Sequence, residues 1–170
     1  MHRRVLLGQI HEGAPGGRSL KNFPGSQPVS LDSANLSILE KSEFMVTWKA
    51  DGTRYMLLLM KDGVYLIDRK FAIRRVQMNF PTSRGAHHKH NVTLMDGEMV
   101  VDVNFATGVA TRRYLVYDIM CINKQPVVQL PFTRRFELIE TEVVIPKRQL
   151  EVRLRSGGNW STMELAWDSI

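Results

Sequence analysis

The chain has 170 residues, 44% of them hydrophobic, enough for one domain of ordinary size with a real core. Lys and Arg number 23 against 17 Asp and Glu, and the resulting +6 favours a polyanionic partner without naming one. One cysteine, Cys121, excludes an internal disulfide framework and fits a reducing compartment; no apolar run approaches the roughly 20 residues of a membrane span, so no membrane partner is expected.

In chain order, Met1-His2-Arg3-Arg4 and Val5-Leu6-Leu7 imitate a secretory signal, but the apolar stretch stops well short of the ~7–15 residues such a core needs. The sequons at Asn35, Asn91 and Asn159 therefore carry little weight. Residues 1–30 are rich in Gly, Pro and Ser, and residues 1–22 read as a disordered leader. Ser33 to Glu40 is predicted as a short helix with Leu36 and Leu39 on one side. Strands are predicted at 44–49, 54–60 and 64–68, with Lys61-Asp62-Gly63 turning between the last two. A basic, histidine-bearing loop near 81–91 precedes strands at 92–95, 98–103 and 113–119, and Ala106-Thr107-Gly108 marks the turn between the latter two. Thr133 is predicted to cap a helix to about Val144, with Phe136, Ile139 and Val143 on its apolar face and Pro146 ending it. The pattern is that of an α+β domain without internal repeats.

The chemistry concentrates at Lys49-Ala50-Asp51-Gly52-Thr53-Arg54. An Asp-Gly turn joins a lysine to an arginine five positions on, an arrangement suited to an amine that attacks phosphorus while a guanidinium steadies the nucleotide. By spacing alone the same string also fits an exposed hairpin tip with a solvated lysine. His87-His88-Lys89-His90 brings imidazoles together without a cysteine or carboxylate at ligand spacing, so no metal site is assigned. Gly13 to Gly17 lacks the GxxxxGK pattern of a phosphate-binding loop.

Lys49 to Tyr55, KADGTRY, resembles motif I of the covalent nucleotidyltransferases: mRNA capping enzymes, ATP-dependent DNA ligases and RNA ligases. Thr93 to Val100, TLMDGEMV, resembles their motif III, and Arg113 to Ile119, RYLVYDI, their motif IIIa. Phe23 to Ser30, the stretch from Trp48 to Tyr55, and Tyr65 to Arg69 are most similar to the guanylyltransferase domain of animal capping enzymes. The resemblance covers about residues 22–148. It implies a partial nucleotidyltransferase domain of the DNA ligase and capping enzyme type, ATP-grasp-like, with antiparallel β-sheets and flanking helices.

By that resemblance Lys49 is the nucleophile that takes GMP from GTP and passes it to the 5′-diphosphate end of RNA. Such a lysine needs its pKa depressed by partial burial, neighbouring positive charge or metal, with Trp48 and Arg54 as contributors. Arg54 would hold the ribose and nearby phosphates, Glu98 the ribose hydroxyls and Tyr117 the base, while Arg69 occupies a family position near the nucleotide. Asp51 shapes the loop and either orients Lys49 or meets substrate. A divalent cation (Mg or Mn), the RNA polymerase II C-terminal tail and a nuclear location are implied in the same way.

After Ile119 the family's acidic motif IV and Lys-x-Lys motif V are not found, nor are the oligonucleotide-binding-fold and RNA triphosphatase domains. Residues 23–148 are therefore expected to be the N-terminal part of the guanylyltransferase domain in a truncated chain, with 149–170 a divergent tail. Beside the enzyme stand two other readings: a catalytically silent fragment that binds RNA or a capping partner, and an ATP-dependent polynucleotide ligase.

Overall fold

A computed structural model describes residues 25–47, 49–156 and 163–166; of 154–156 and 163–166 only the backbone is described. The expected leader 1–22, Trp48 and the segment 157–162 lie outside the described residues. Nine strands are described: β1 (Thr53–Met60), β2 (Gly63–Ile67), β3 (Ile73–Val76), β4 (Pro81–Thr82), β5 (Gly85–Lys89), β6 (Thr93–Val103), β7 (Ala110–Ile122), β8 (Gln125–Pro126) and β9 (Met163–Ala166). The main sheet runs β3-β2-β1-β6-β7-β8 with antiparallel neighbours throughout, and β9 adds parallel to β7. A separate hairpin pairs β4 with β5. The architecture is α+β, as the sequence implies.

Strand β1 shows why the sheet forms where it does. Its run Met56-Leu57-Leu58-Leu59 is buried on both faces, so an unbroken apolar string takes the place of simple alternation. Leu57 and Leu59 join Met95, Tyr114, Val116, Ile139, Val143 and Val144 in one cluster, whereas Met56 and Leu58 join Ile67, Leu94, Met120 and Cys121 in the other. Each fully buried leucine of this kind stabilises the fold by roughly 1.5–3 kcal/mol before entropy is counted.

A helical arm covers the first face: α1 (Phe132–Ile139), a π-helical turn (Glu140–Val144) and α2 (Ile145–Ser156). Ile139 and Val143 are fully buried and Phe136 packs at their margin, as their spacing predicts. Two details differ from expectation. The helix starts at Phe132 behind Pro131, with no side-chain cap, because the Pro131 carbonyl itself accepts from the N–H groups of Arg134 and Arg135 at 3.0 and 3.1 Å. Nor does Pro146 end it. Within the widened turn the Ile145 N–H reaches back five residues to the Glu140 carbonyl, the local loosening that lets a helix tolerate a ring lacking an N–H. The helix then runs past residue 148 to Ser156, and β9 beyond it pairs with Arg112–Leu115.

Four further expectations are corrected. Residues 44–47 and 49 form no strand; Phe44, Met45 and Val46 are exposed, and no ladder partner holds them extended. The strands expected at 92–95 and 98–103 are one strand, β6, running through Asp96-Gly97. The loop expected at 81–91 contains the β4–β5 hairpin. Ahead of β1, the helix expected at 33–40 is a single 3₁₀ turn, Leu36–Glu40, whose Leu36 and Leu39 remain exposed.

Candidate active site

An open cleft of about 1130 Å³ runs from the start of β1 across the middles of β6 and β7, and Lys49, Arg54, Arg69, Glu98 and Tyr117 all line it. These five residues come from four separate segments of the chain: the stretch leading into β1, the β2–β3 loop, and the middles of β6 and β7.

Arg54 and Asp96 form its most strongly fixed feature. Strand register places Arg54 opposite Glu98 and Met56 opposite Asp96, so the guanidinium reaches diagonally across to the carboxylate. Nε donates to Asp96 Oδ1 at 2.9 Å and Nη2 to Oδ2 at 2.5 Å, a two-point contact between side chains only 10% and 1% exposed. Nη2 also donates to the Ser26 carbonyl at 2.8 Å. The hydrogen bond to Asp96 raises the pKa of Arg54, with burial acting against it. Gly25 packs so close to this pair that a Cβ there would come within 2.0 Å of Asp96 Oδ2, so no side chain fits.

Tyr117 sits half-buried on β7, and its phenol pKa is raised, first by burial and then by the nearby Asp96 carboxylate. Glu98 accepts from the Gly52 N–H at 2.8 Å, tying the segment before β1 to β6. Gly52 lies against β6 itself: an added Cβ would stand 2.2 Å from the Met99 carbonyl. Gly97 is similarly constrained by the Tyr114 ring and the Leu115 carbonyl. Tyr114 is fully buried, donates to the Tyr55 carbonyl at 2.8 Å, and has its pKa pushed well up by that burial.

Lys49 presents a different picture. Its side chain is 88% exposed, and its ammonium lies 3.8 Å from the fully exposed Asp51 carboxylate. The partial burial expected for this lysine is not provided by the described residues, and Trp48 lies outside them. Asp51 lines the same cleft beside Lys49.

Several cleft residues were not assigned to the site from the sequence: Asp68, Lys70, Asp96, Asp118, Phe132 and Phe136, the last read only as part of the helix's apolar face. Asp118 takes a two-point contact from Arg135 of α1 at 2.7 and 3.0 Å, which anchors the helix bearing both phenylalanines. An acid inside the apolar strings TLMDGEMV and YLVYDIM is itself a signal, because a carboxylate buried there needs a cationic partner. No three carboxylate, imidazole or thiol groups among the described residues gather as a metal site. Asp96 and Asp118 are each occupied by an arginine, so these residues do not make a metal site by themselves.

The α+β fold with its antiparallel sheet is consistent with a partial nucleotidyltransferase domain, and comparison with known proteins narrows the class. A family model for the mRNA capping enzyme, catalytic domain, matches residues 6–160. Over 127 residues the chain is 42% identical to the mRNA-capping enzyme of Danio rerio, covering 74% of this chain and 21% of that protein. It is 43% identical over 129 residues to the mRNA-capping enzyme of Mus musculus, with 75% and 21% covered. Against the mRNA-capping enzyme subunit alpha of Neurospora crassa it is 34% identical over 144 residues, with 79% and 36% covered. The chain belongs to the mRNA capping enzyme family, in its catalytic domain. It spans about a fifth of the length of the animal relatives it matches.

Proposed function

We propose that this chain carries the GTP-binding and nucleophile-bearing part of an mRNA guanylyltransferase. The observation that carries the reading is the meeting of Lys49, Arg54, Arg69, Glu98 and Tyr117 on one cleft, from four segments remote in sequence. Glu98 would accept from the ribose hydroxyls, and the Tyr117 ring would stack on the guanine. Arg54, already fixed by Asp96, and Arg69 on the β2–β3 loop would supply positive charge beside the phosphates without reorganising.

Lys49 Nζ, once deprotonated, attacks the α-phosphorus; the bond to the β-phosphate bridging oxygen breaks and pyrophosphate leaves, giving a lysine–GMP phosphoramidate. An oxygen of the RNA 5′-diphosphate then attacks that phosphorus, the N–P bond breaks, and the amine regains a proton. An exposed lysine is mobile enough to serve both steps, but the bound triphosphate must draw it inward. A magnesium or manganese ion belongs to the same reading as a companion of the triphosphate, and no step here is routed through it. The RNA polymerase II tail as partner and the nucleus as place of action rest on the family resemblance alone.

Incubation with α-labelled GTP and a divalent metal, followed by denaturing separation, tests the reading. Acid-labile label should stay on the chain and vanish in Lys49→Ala. Lys49→Arg should do no better, because a guanidinium stays protonated. Label surviving Lys49→Ala removes the nucleophile assignment; equal or better labelling by ATP moves the chain to the polynucleotide ligases; no label from either favours a silent binding module.

A further inference from the structure

The sheet face that carries Arg54 continues away from the cleft. Met56 and Leu58 share that face on β1, and register places Ile67 and Tyr65 of β2 opposite them. On β3, Ile73 lies opposite Ile67 and Arg75 opposite Tyr65. Tyr65 is half-buried at the margin of the Met56–Leu58–Ile67 cluster, and Arg75 is exposed. β3 is the last strand on this side of the sheet among the described residues.

Between this edge and the cleft stands the β2–β3 loop, which places Arg69 and Lys70 on the cleft wall. The loop is held in shape: Asp68 Oδ1 accepts from the N–H groups of Lys70 and Ala72 at 2.8 Å each, and Phe71 adopts a left-handed φ of 61°. The outer residues are also held in place. Arg75 Nη2 donates to the Asp62 carbonyl at 2.7 Å, and its guanidinium lies over Gly63, where a Cβ would come 2.8 Å from Nε. The Tyr65 hydroxyl donates to the Asp62 carboxylate at 3.1 Å. Two exposed cations and a half-buried aromatic ring therefore lead outward from the cleft, with Tyr65 and Arg75 held by Asp62 and Lys70 set on the loop by its backbone.

We propose that this strip, Lys70–Tyr65–Arg75, is the path of the acceptor RNA behind its 5′-diphosphate. The proposal rests on the guanylyltransferase reading, which requires the RNA terminus to enter the cleft and the following nucleotides to leave it. A single strand is held by cations tracking its phosphates and by a ring on which a base stacks, and this strip supplies both. The opposite wall of the cleft is less suited to a polyanion. It has rings in Phe132 and Phe136, but its cations are neutralised by carboxylates, Arg135 by Asp118 and Arg134 by Glu137.

The test separates the two half-reactions in the full chain. Arg75→Glu and Tyr65→Leu should leave lysine–GMP formation within about twofold of the parent. With a 5′-diphosphate RNA decamer, the acceptor KM should rise about tenfold in Arg75→Glu and about fivefold in Tyr65→Leu, while Tyr65→Phe stays at the parent value. Removing one phosphate contact by Arg75→Ala should also lower the salt slope of log KM by about 0.7. A dinucleotide acceptor, which lacks the following nucleotides that the strip would hold, should show none of these losses. Unchanged KM with the decamer, or equal loss with decamer and dinucleotide, overturns the path. Should the parent chain form no lysine–GMP, the guanylyltransferase reading fails, and anisotropy of the labelled decamer decides the path alone. Weaker binding by Arg75→Glu supports it and equal binding overturns it. Retained decamer binding with lost binding of a phosphorylated peptide assigns the strip to a protein partner instead.

Discussion

Lys49 and Arg54 stand five residues apart in sequence, and their pairs with carboxylates could hardly be more different. Arg54 meets Asp96 at 2.5 Å with both side chains nearly sealed from solvent, whereas Lys49 meets Asp51 at 3.8 Å in open water. Exposed pairs of the second kind contribute about 0–1 kcal/mol, but removing one member of a buried pair costs about 3–5 kcal/mol. The boundary between the two regimes is Gly52, whose N–H bonds Glu98 and whose missing Cβ lets the chain lie against β6. The motif is thus divided into a half fixed in the sheet and an exposed half that carries Lys49. If Lys49 is the nucleophile proposed above, such a division suits an amine that has to meet first a triphosphate and then an RNA end.

The largest effect that could break this comparison comes from deleting the carboxylates one at a time. Asp96→Ala takes the carboxylate from a largely buried Arg54 guanidinium and should destabilise the fold by about 3–5 kcal/mol in denaturant titration. Asp51→Ala should change stability by less than ~0.5 kcal/mol. Comparable losses in both variants would mean that the segment before β1 is as firmly built into the fold as the sheet.

A smaller effect concerns binding on the rigid half. Tyr117→Ala should weaken GTP binding by about 1–3 kcal/mol in calorimetric titration, with the cooperative unfolding transition retained. Tyr117→Phe keeps the ring and should bind nearly as the parent does. Unchanged affinity in Tyr117→Ala would place the base elsewhere in the cleft.

How far the sequence reveals this division is itself instructive. Strands β1 and β2, their Lys61–Gly63 turn and the interior of β7 are legible, because apolar runs bounded by turn residues are local signals. The continuity of β6 is not legible from local propensity. Asp96 and Gly97 look like strand breakers until Arg54 is seen on one and the Tyr114 ring against the other, and both partners are remote in sequence. The segment 44–49 fails in the opposite sense: it has strand-forming residues but no neighbour to pair with, and propensity alone does not hold an isolated strand. Pro146 is tolerated only because the turn before it widens. For the cleft, family motifs identify five lining residues. They say nothing of Phe132, Phe136 or the Asp118–Arg135 anchor, which exist as parts of the site only once the helix docks.

The smallest effect sharpens the comparison from the far side of the sheet, where the rigid half rests on its helical arm. His90 is almost wholly buried, with Nδ1 3.0 Å from Thr93 Oγ1, and Thr93 Oγ1 in turn accepts from the Asn123 N–H at 2.9 Å. Nearby, Ser83 donates to Glu142 at 2.6 Å, and Lys147 pairs with Glu151 at 3.0 Å while standing over the Phe80 ring. Burial pushes the His90 pKa below its usual value, with the backbone of Glu142 and Pro81 and the Glu142 charge opposing the shift. The folded chain therefore takes up this proton less readily than the unfolded chain. The stabilising contribution is complete above the unfolded pKa of about 6.5 and is lost as pH falls through the lower folded value. One proton limits the slope to about 1.4 kcal/mol per pH unit. Denaturant midpoints should fall between pH 8 and pH 5, and His90→Gln, which has no proton to take up, should flatten that fall whatever its own stability. Parallel pH profiles for parent and variant would remove His90 from the account. A flattened profile would show that the sheet under Arg54 draws stability from His90, a residue outside the cleft lining.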